Sequence, residues 1–318
     1  MVVMMKMVEI GPGLQLSELC FGSLVMGPLQ RDLPPAEGAE VIKAALDKGV
    51  NFIDTAQVYR TYEHIRLAIR DQPHRVHLAS KSNASSLEDM EQAVQEAMQS
   101  MEVDYIDIFH LHAARATPEV FWERQGALEC LHRFKKRGMI GRVGIATHSV
   151  PVVKAAAERE DIDVVYPLIN LTGIGILEGS REEMEEAIAL AHRAGKFIYA
   201  MKVFGGGNLL DRRQEALDYV RNLPGIDVIS IGMASSQEVE VNLGLMEGQV
   251  SPELMEKTRS RGKMLKILGF CNGCGLCVPH CHSDALQVKG EKCEVDRERC
   301  ILCGYCAPHC PQFAIRVV

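Results

Sequence analysis

An aspartate and a tyrosine five residues apart are the first residues of the chain whose types and spacing could carry out chemistry. The stretch Asn51-Phe52-Ile53-Asp54-Thr55-Ala56-Gln57-Val58-Tyr59 begins as a short apolar strand, ends that strand in Asp54 and places Tyr59 in the loop beyond it. Two further strand-like stretches, VHLASK and IDIFHLH, end in Lys81 and His112. Four proton-handling groups at three consecutive strand ends predict a site for proton transfer to or from a substrate.

Tyr59 needs help to exchange a proton near neutral pH, because a free tyrosine has a pKa of about 10. Lowering that pKa by about two or three requires about 3–4 kcal/mol of preference for the phenolate. One ammonium group about 4 Å away supplies energy of that order at an effective dielectric constant near about 20. We therefore expect Lys81 to lower the pKa of Tyr59, Asp54 to keep Lys81 charged, and His112 to orient a substrate oxygen. Tyr59 would then protonate a carbonyl that is being reduced, or deprotonate an alcohol that is being oxidised.

The cysteines form a second constellation near the end of the chain. Only Cys20 and Cys130 precede residue 270, and the remaining cysteines lie between Cys271 and Cys310. Two runs share the spacing C-x₂-C-x₂-C-x₃-C, and each run is followed by a similar pair of residues, Ala-Leu or Ala-Ile. A disulfide framework is not expected in a cytosolic setting, so this region is interpreted as metal-binding. Structural zinc is the alternative, although zinc sites pair two short C-x₂-C knuckles.

The spacing of the two runs resembles that of a bacterial-type ferredoxin with two [4Fe–4S] clusters. In such modules the fourth cysteine of each run binds the other cluster. The resemblance implies one cluster on Cys271, Cys274, Cys277 and Cys310 and a second on Cys300, Cys303, Cys306 and Cys281. His282 departs from the pattern because it follows Cys281 where a proline is expected, and Cys293 is an additional thiol. His280, His282 and His309 are predicted to be surface or hydrogen-bonding groups rather than ligands.

The segments between residues 20 and 246 alternate between strand-like and helix-like patterns. The predicted strands are 20–26, 51–55, 76–81, 104–112, 142–147, 163–168, 197–203 and 227–231, and the predicted helices are 36–48, 61–70, 87–101, 118–137, 151–159, 180–194, 205–222 (loop and helix) and 236–246. Eight such units predict an α/β fold, a closed (β/α)₈ TIM barrel whose chemistry lies at the carboxyl ends of the strands. An open doubly wound sheet is the alternative, but Gly22-Ser23-Leu24-Val25-Met26-Gly27 lacks its glycine fingerprint.

The domain organisation follows from these patterns. Residues 1–246 are predicted to form the barrel, with a hairpin at 7–19 that turns at Gly11-Pro12-Gly13. Residues 247–269 are predicted to be a linker, and 270–318 a small α+β ferredoxin-like domain. The 318 residues carry a net charge of −7, which argues against nucleic-acid and membrane-surface partners. Since the start, MVVMMKMVEI, does not resemble a secretory signal, we expect a cytoplasmic protein.

The barrel residues resemble those of the aldo-keto reductases over about residues 5–245, and the whole chain resembles the ferredoxin-fused branch of that family. The family's Asp, Tyr, Lys and His tetrad matches Asp54, Tyr59, Lys81 and His112. The resemblance implies an oxidoreductase that acts on a small carbonyl or alcohol with NAD(P)H. The residues predicted to bind that cofactor are Gly22, Ser23, Thr147, His148, Met201, Lys202, Gly205, Gly206, Ser235, Ser236 and Asn242.

Several positions depart from the family's nucleotide site. Thr147-His148 stand where Ser-Asn is common, and Met201 replaces a tyrosine that stacks on the nicotinamide. The basic clamp for a 2′-phosphate is also absent, because Gly232, Met233 and Glu238 occupy those places. A preference for NADP is therefore not supported. His110 points to the same face as His112 and is interpreted as a buried packing residue.

Hydride transfer moves two electrons at once, whereas each cluster passes one, so three hypotheses remain open for the whole chain. The first is a nicotinamide-dependent carbonyl reductase or alcohol dehydrogenase whose clusters are structural or dock a redox partner protein. The second is a ferredoxin-linked redox enzyme in which a flavin occupies the barrel end. The third is a non-catalytic electron-transfer or scaffold protein.

Overall fold

The computed structural model describes residues 5–10, 14–71, 76–258, 264–311 and 314–317. The chain starts with the predicted hairpin, in which β1 (Met7–Glu9) pairs antiparallel with β2 (Gln15–Ser17). The predicted turn Gly11-Pro12-Gly13 lies outside the described residues. Leu16 of β2 is fully buried against Phe52, and the backbone N–H of Ser17 donates to the side chain of Asn51, just before the second barrel strand. The hairpin therefore packs at the amino-terminal end of the barrel.

Eight parallel strands form a closed barrel, which confirms the predicted fold class. Its strands are β3 (Leu19–Gly22), β4 (Phe52–Asp54), β5 (His77–Ser82), β6 (Ile106–His112), β7 (Ile140–Thr147), β8 (Val164–Pro167), β9 (Phe197–Ala200) and β10 (Val228–Gly232). β10 closes the barrel by pairing with both β3 and β9. The interior is filled by inward side chains that include Phe52, Tyr166 and Tyr199, so polar groups meet at the carboxyl ends of the strands, here called the barrel mouth.

Helices surround the barrel and bury their apolar faces against it. They are α1 (Pro35–Leu46), α2 (Tyr62–Ile69), α3 (Leu87–Met101), α4 (Val120–Glu123), α5 (Gln125–Lys136), α6 (Val150–Ala157), α7 (Arg181–Arg193), α8 (Arg213–Arg221) and α9 (Ser236–Glu247). A single helix predicted over 118–137 is divided into α4 and α5, because Arg124 leaves the helical conformation (φ −112°, ψ 31°). Its guanidinium donates instead to the carbonyl of His112 at 3.0 Å. Within the described residues, no helix is long and apolar enough to cross a membrane.

The cysteine-rich end folds as a small module of two antiparallel strand pairs. After α10 (Pro252–Lys257), β11 (Leu265–Ile267) pairs with β14 (Ile315–Val317), and β12 (Leu286–Lys289) pairs with β13 (Lys292–Val295). Part of the predicted linker 247–269 therefore has regular secondary structure. β11 alternates apolar residues and forms a sheet with β14 near the end of the chain. We propose that the module, here called the cysteine module, begins with β11 rather than at residue 270.

Candidate active site

The strand register brings the four predicted catalytic residues together at the barrel mouth. Asp54 ends β4, Lys81 lies one residue from the end of β5, and His112 ends β6. Tyr59 closes a short 3₁₀ turn, Gln57–Tyr59, that follows β4. All four side chains are buried, with exposed fractions between 1% and 7%. The three neighbouring strands and one turn therefore present a carboxyl group, an ammonium, an imidazole and a phenol to one small space.

Lys81 is the centre of this group. Its Nζ donates to Asp54 Oδ2 at 2.6 Å and to the Thr55 carbonyl at 2.8 Å. The same Nζ lies 4.8 Å from the centre of the Tyr59 ring. Tyr59 in turn meets the His112 ring edge to face, with 6.1 Å between ring centres. The ammonium is thus fixed by two oxygens and is close enough to act electrostatically on the phenol.

Burial and charge set the protonation states of Lys81 and His112. Burial disfavours the charged form of Lys81, but the nearby Asp54 and Tyr59 oxygens raise the pKa of Lys81 above its usual value, so it remains an ammonium. Burial, followed by the charge of Lys81, holds the pKa of His112 well below its usual range. His112 is therefore a neutral imidazole that can donate one N–H to an oxygen.

The expected lowering of the Tyr59 pKa is wrong for the protein without a bound ligand. Burial raises the pKa of Tyr59, Lys81 lowers it, and Asp54 raises it again, so the net pKa lies above that of free tyrosine. The ammonium of Lys81 alone would lower the pKa of Tyr59. The loss of water around the phenol and the carboxylate of Asp54 together outweigh that effect. Tyr59 thus holds its proton at neutral pH.

A buried hydrogen-bond network behind the tetrad was missed by the sequence reasoning. The Tyr199 hydroxyl donates to Asp54 Oδ1 at 3.1 Å and lies 2.6 Å from His110 Nε2. The Tyr166 hydroxyl donates to Ser230 Oγ at 2.9 Å and lies 3.4 Å from Asp54 Oδ2. His110 is buried as expected, but it is also bonded into this network. The signal available in sequence was the hydroxyl-bearing aromatic residue on each of two late barrel strands.

A cleft of about 150 Å³ reaches the tetrad from one side, where Asp54 and Tyr59 line it. Among the predicted cofactor residues, Gly22, Met201, Lys202, Gly206 and Asn242 line this cleft. Its lining of apolar residues with a few polar and charged groups is typical of sites for organic ligands.

The other predicted cofactor residues lie outside the cleft lining that the described residues form. Ser23 bonds to Thr61, Thr147 accepts from the Ser149 backbone, and His148 packs 6.0 Å from His282 of the cysteine module. Gly205 is buried in a 3₁₀ turn, Ser235 caps α9, and Ser236 is exposed.

One edge of the cleft carries charged groups. Arg31 Nη2 pairs with Glu238 Oε1 at 3.0 Å, and Glu238 also accepts from the Ala234 backbone at 2.8 Å. Gly232 faces the cleft, whereas Met233 is fully buried. Arg213 lines the same cleft, and its two Nη groups donate to the hydroxyl and the carbonyl of Thr258 at 2.8 and 2.6 Å. Its guanidinium therefore adds a positive charge to the wall of the cleft.

The thiols of the two cysteine runs lie close to one another. Burial raises the pKa of Cys306, and the thiols of Cys303, Cys281, Cys300 and Cys277 raise it further. Burial, followed by the thiols of Cys310 and Cys271, raises the pKa of Cys277. The division into two ligand sets that the ferredoxin resemblance implies remains a prediction. Within the described residues, no group of three or more His, Cys, Asp or Glu side chains lies close enough together to hold a single metal ion. The four cysteines of a [4Fe–4S] cluster each bind a different iron, so their sulfur atoms lie farther apart than the ligands of a single metal ion.

Backbone N–H groups point at ligand sulfurs in this module. The N–H of Ala285 donates to Cys281 Sγ at 3.1 Å, and the N–H of Ala314 donates to Cys310 Sγ at 3.2 Å. Such bonds stabilise thiolates and tune the potential of clusters bound to them. Cys293, the additional thiol, is buried 3.6 Å from Cys277 Sγ. The residues present therefore fit two iron–sulfur clusters.

The cysteine module packs onto the barrel mouth, which the sequence did not predict. Ile301 is fully buried in the interior cluster of the barrel. Tyr305, partly buried, places its hydroxyl 3.4 Å from His112 Nε2 and hydrogen-bonds to Tyr59. The available signal was Tyr305 itself, since it is a hydroxyl-bearing aromatic residue between the ligands Cys303 and Cys306. Both parts of the chain thus contribute residues to the candidate active site.

Comparisons with known proteins agree with both parts. A model of the Aldo/keto reductase family matches residues 18–225, and a model of the 4Fe-4S dicluster domain matches residues 270–314. Among curated proteins, methylglyoxal reductase DkgB of Escherichia coli O157:H7 is 28% identical over 36% of this chain and 44% of its own length. An oxidoreductase named YqkF of Bacillus subtilis (strain 168) is 23% identical over 47% of this chain and 51% of its own. The chain thus spans about half the length of the curated relatives it matches.

Solved structures share the barrel fold at low identity. An aldo-keto reductase from Bacillus halodurans in its holo form has a TM-score of 0.64 and 20% identity, covering 80% of this chain and 96% of that one. An aldo-keto reductase from Klebsiella pneumoniae in complex with NADPH has a TM-score of 0.62 and 20% identity, covering 80% and 94%.

Proposed function

Because this chain belongs to the aldo/keto reductase family, we propose that it reduces a small carbonyl compound to an alcohol with Tyr59 as the proton donor. The observation that carries the proposal is the buried contact of Lys81 with Asp54, beneath the ring of Tyr59 and beside a neutral His112. The open cleft reaches this group at Asp54 and Tyr59. The tetrad, the cleft and the family together support reduction of a carbonyl bound against Tyr59.

The protonation states favour the reductive direction. Tyr59 keeps its proton at neutral pH, because burial raises its pKa. As the phenol gives that proton to the substrate oxygen, the ammonium of Lys81 stabilises the phenolate that forms. Asp54 and the Thr55 carbonyl hold Lys81 in place during this step. His112, being neutral, donates an N–H to the same oxygen and orients it.

The residues of the open cleft fit a nicotinamide nucleotide, which supplies the hydride when it is bound. Gly22, Met201, Lys202, Gly206 and Asn242 would hold it, and the positive charge of Arg213 in the cleft wall would favour its anionic groups. The NADPH in the similarly folded Klebsiella pneumoniae protein supports this assignment at the level of the fold.

The two cysteine sets would hold iron–sulfur clusters, which pass single electrons. The module that these sets organise places Tyr305 beside Tyr59 and His112. A redox partner protein for the module remains a prediction.

Replacing Tyr59 by phenylalanine tests the proposal. With protein purified anaerobically, we expect Tyr59→Phe to lower kcat for aldehyde reduction by about 10²–10⁴ while the cluster absorbance is unchanged. Tyr62→Phe is the matched control, since Tyr62 is a buried tyrosine that bonds to Ser80 at 3.0 Å, away from Lys81. The control should change kcat by no more than a few-fold.

The pH profile supplies a second readout. Reduction needs the protonated phenol, so kcat/KM should be level through neutral pH and fall as pH rises through the raised pKa of Tyr59. Wild-type activity in Tyr59→Phe would refute the role of this residue. Absence of turnover with NADH and NADPH, together with a flavin spectrum in the purified protein, would instead favour the flavin-linked hypothesis. Absence of turnover without a flavin would favour the scaffold hypothesis.

A further inference from the structure

We propose that Tyr305 of the cysteine module is a specificity-determining residue of the barrel site, which restricts turnover to slender, unbranched carbonyl compounds. The inference rests on the proposed reductase function. It names a residue outside the barrel and a class of substrate shape.

The hydroxyl of Tyr305 occupies the position that the oxygen of a bound substrate would take. Its hydroxyl lies 3.4 Å from His112 Nε2 and hydrogen-bonds to Tyr59, the two groups that would hold the oxygen of a carbonyl. Its ring meets the His112 ring at 6.1 Å and packs 4.0 Å from His282. A substrate must therefore displace the Tyr305 side chain before its oxygen can contact both Tyr59 and His112.

The space left on this side of the tetrad is very small. A cavity of about 10 Å³ lies between the barrel and the module. Its lining includes Tyr59, His112, His148, Met201, His282 and Tyr305. Such a volume holds about one water molecule. A carbonyl compound whose oxygen contacts both Tyr59 and His112 therefore needs room on this side that the Tyr305 side chain occupies.

The loop that carries Tyr305 is held on two sides, so the backbone has little freedom to open. A Cβ on Gly304 would lie 1.9 Å from the carbonyl oxygen of Leu29, and one on Gly206 would lie 1.8 Å from that of Ile301. Backbone therefore packs directly on backbone at both contacts. Rotation of the Tyr305 side chain is the movement that remains, and it admits an extended chain more easily than a branched or aromatic skeleton.

The equivalent position in the first cysteine run shows that the run itself does not require a tyrosine. Leu276 lies between Cys274 and Cys277 as Tyr305 lies between Cys303 and Cys306. Leu276 is 56% exposed. The bulk and the hydroxyl of Tyr305 are therefore explained by its contacts at the barrel mouth and not by the cysteine run. Leu276 supplies a matched control position.

The experiment compares butanal with 2-naphthaldehyde as substrates of the full-length, cluster-containing protein under anaerobic conditions. We expect wild type to prefer butanal, and Tyr305→Ala to raise the ratio of kcat/KM for 2-naphthaldehyde over butanal by about tenfold or more. Tyr305→Phe keeps the bulk of the ring and should retain the wild-type ratio. Leu276→Ala should also retain it.

Cluster absorbance and iron content are measured for every variant. If Tyr305→Ala loses iron, Tyr305→Leu replaces it, since leucine already occupies the equivalent position of the first run, and the same rise in the ratio is expected. An unchanged ratio in an iron-replete Tyr305→Ala or Tyr305→Leu overturns the inference, as does a wild type that reduces both aldehydes equally well; in both cases the reductase function stands. No reduction of either aldehyde by any variant overturns the proposed function and this inference together.

Discussion

The two cysteine runs have the same spacing but opposite surroundings. In the first run, the non-ligand residues Asn272 and Leu276 are exposed. In the second, the equivalent residues are Ile301, fully buried in the barrel interior, and Tyr305, which contacts the tetrad. At these two positions the first run faces solvent, whereas the second run contacts the barrel interior and the tetrad.

The features that both runs share concern the ligands. Each run ends in a short 3₁₀ turn, at Val278–His280 and Ala307–His309, and the histidines of the two turns stack with 3.3 Å between ring centres. Each fourth cysteine accepts a hydrogen bond from the backbone N–H four residues later in the sequence, that of Ala285 or Ala314. The repeat thus preserves the ligand geometry, and the non-ligand positions determine which half contacts the barrel.

Ile301 gives the largest expected difference between the halves. Ile301→Ala removes a fully buried side chain that packs on Gly175, and should lower the free energy of unfolding by about 2–5 kcal/mol. Asn272→Ala, at the equivalent exposed position, should change it by about 0.5 kcal/mol or less. Anaerobic urea unfolding followed by circular dichroism measures both. Equal losses in the two variants would mean that the barrel contact adds no stability.

The barrel was predictable from sequence because its signal is local. Helix α3 was predicted with the bounds that the structure shows, 87–101, since Ser86 caps it and its apolar residues recur at helical spacing. Asp54, Lys81 and His112 were placed correctly for a related reason. In a parallel barrel the carboxyl ends of all strands lie at the barrel mouth. Residues at the ends of consecutive strands are therefore expected to be neighbours there.

What the sequence could not supply depends on long-range packing. Nothing near Tyr305 in the chain indicates a contact with Tyr59, which is hundreds of residues earlier in a separate part of the fold. The net pKa of Tyr59 likewise depends on burial by its surroundings, including the module, and not on Lys81 alone. Tyr166 and Tyr199 were also missed, because inward positions on barrel strands are usually filled by apolar residues.

Gly304 of the second run and Gly275 of the first occupy equivalent positions. Substitutions there test, through the backbone, the difference in surroundings between the two runs. Both have a positive φ, 80° and 75°, so alanine at either position costs about 1–2 kcal/mol from conformation alone. At Gly275 the new Cβ would meet only the side chain of Val288, at 3.5 Å, whereas at Gly304 it would collide with the Leu29 carbonyl. Gly304→Ala should therefore cost about 1–3 kcal/mol more than Gly275→Ala in the same urea measurement. A smaller cost at Gly304 would contradict the tight contact between module and barrel.

Arg115 gives the smallest expected effect and tests the crossed arrangement of the runs. It extends from the loop after β6 to the carbonyl of Cys281 and the carboxylate of Asp284. Cys281 belongs to the first run in sequence and is predicted to bind the cluster of the second run, so this contact ties the first run to the barrel. Both charged side chains are partly exposed, at 34% and 45%, and Arg115→Ala should cost only about 0.2–1 kcal/mol. Arg299, 3.9 Å from the same carboxylate, is the control, and Arg299→Ala should cost less.

Raising the salt concentration to about 1 M screens exposed charges, so the cost of Arg115→Ala should shrink towards that of its uncharged contact with Cys281. A cost that is independent of salt would assign the contribution of Arg115 to the Cys281 carbonyl rather than to Asp284.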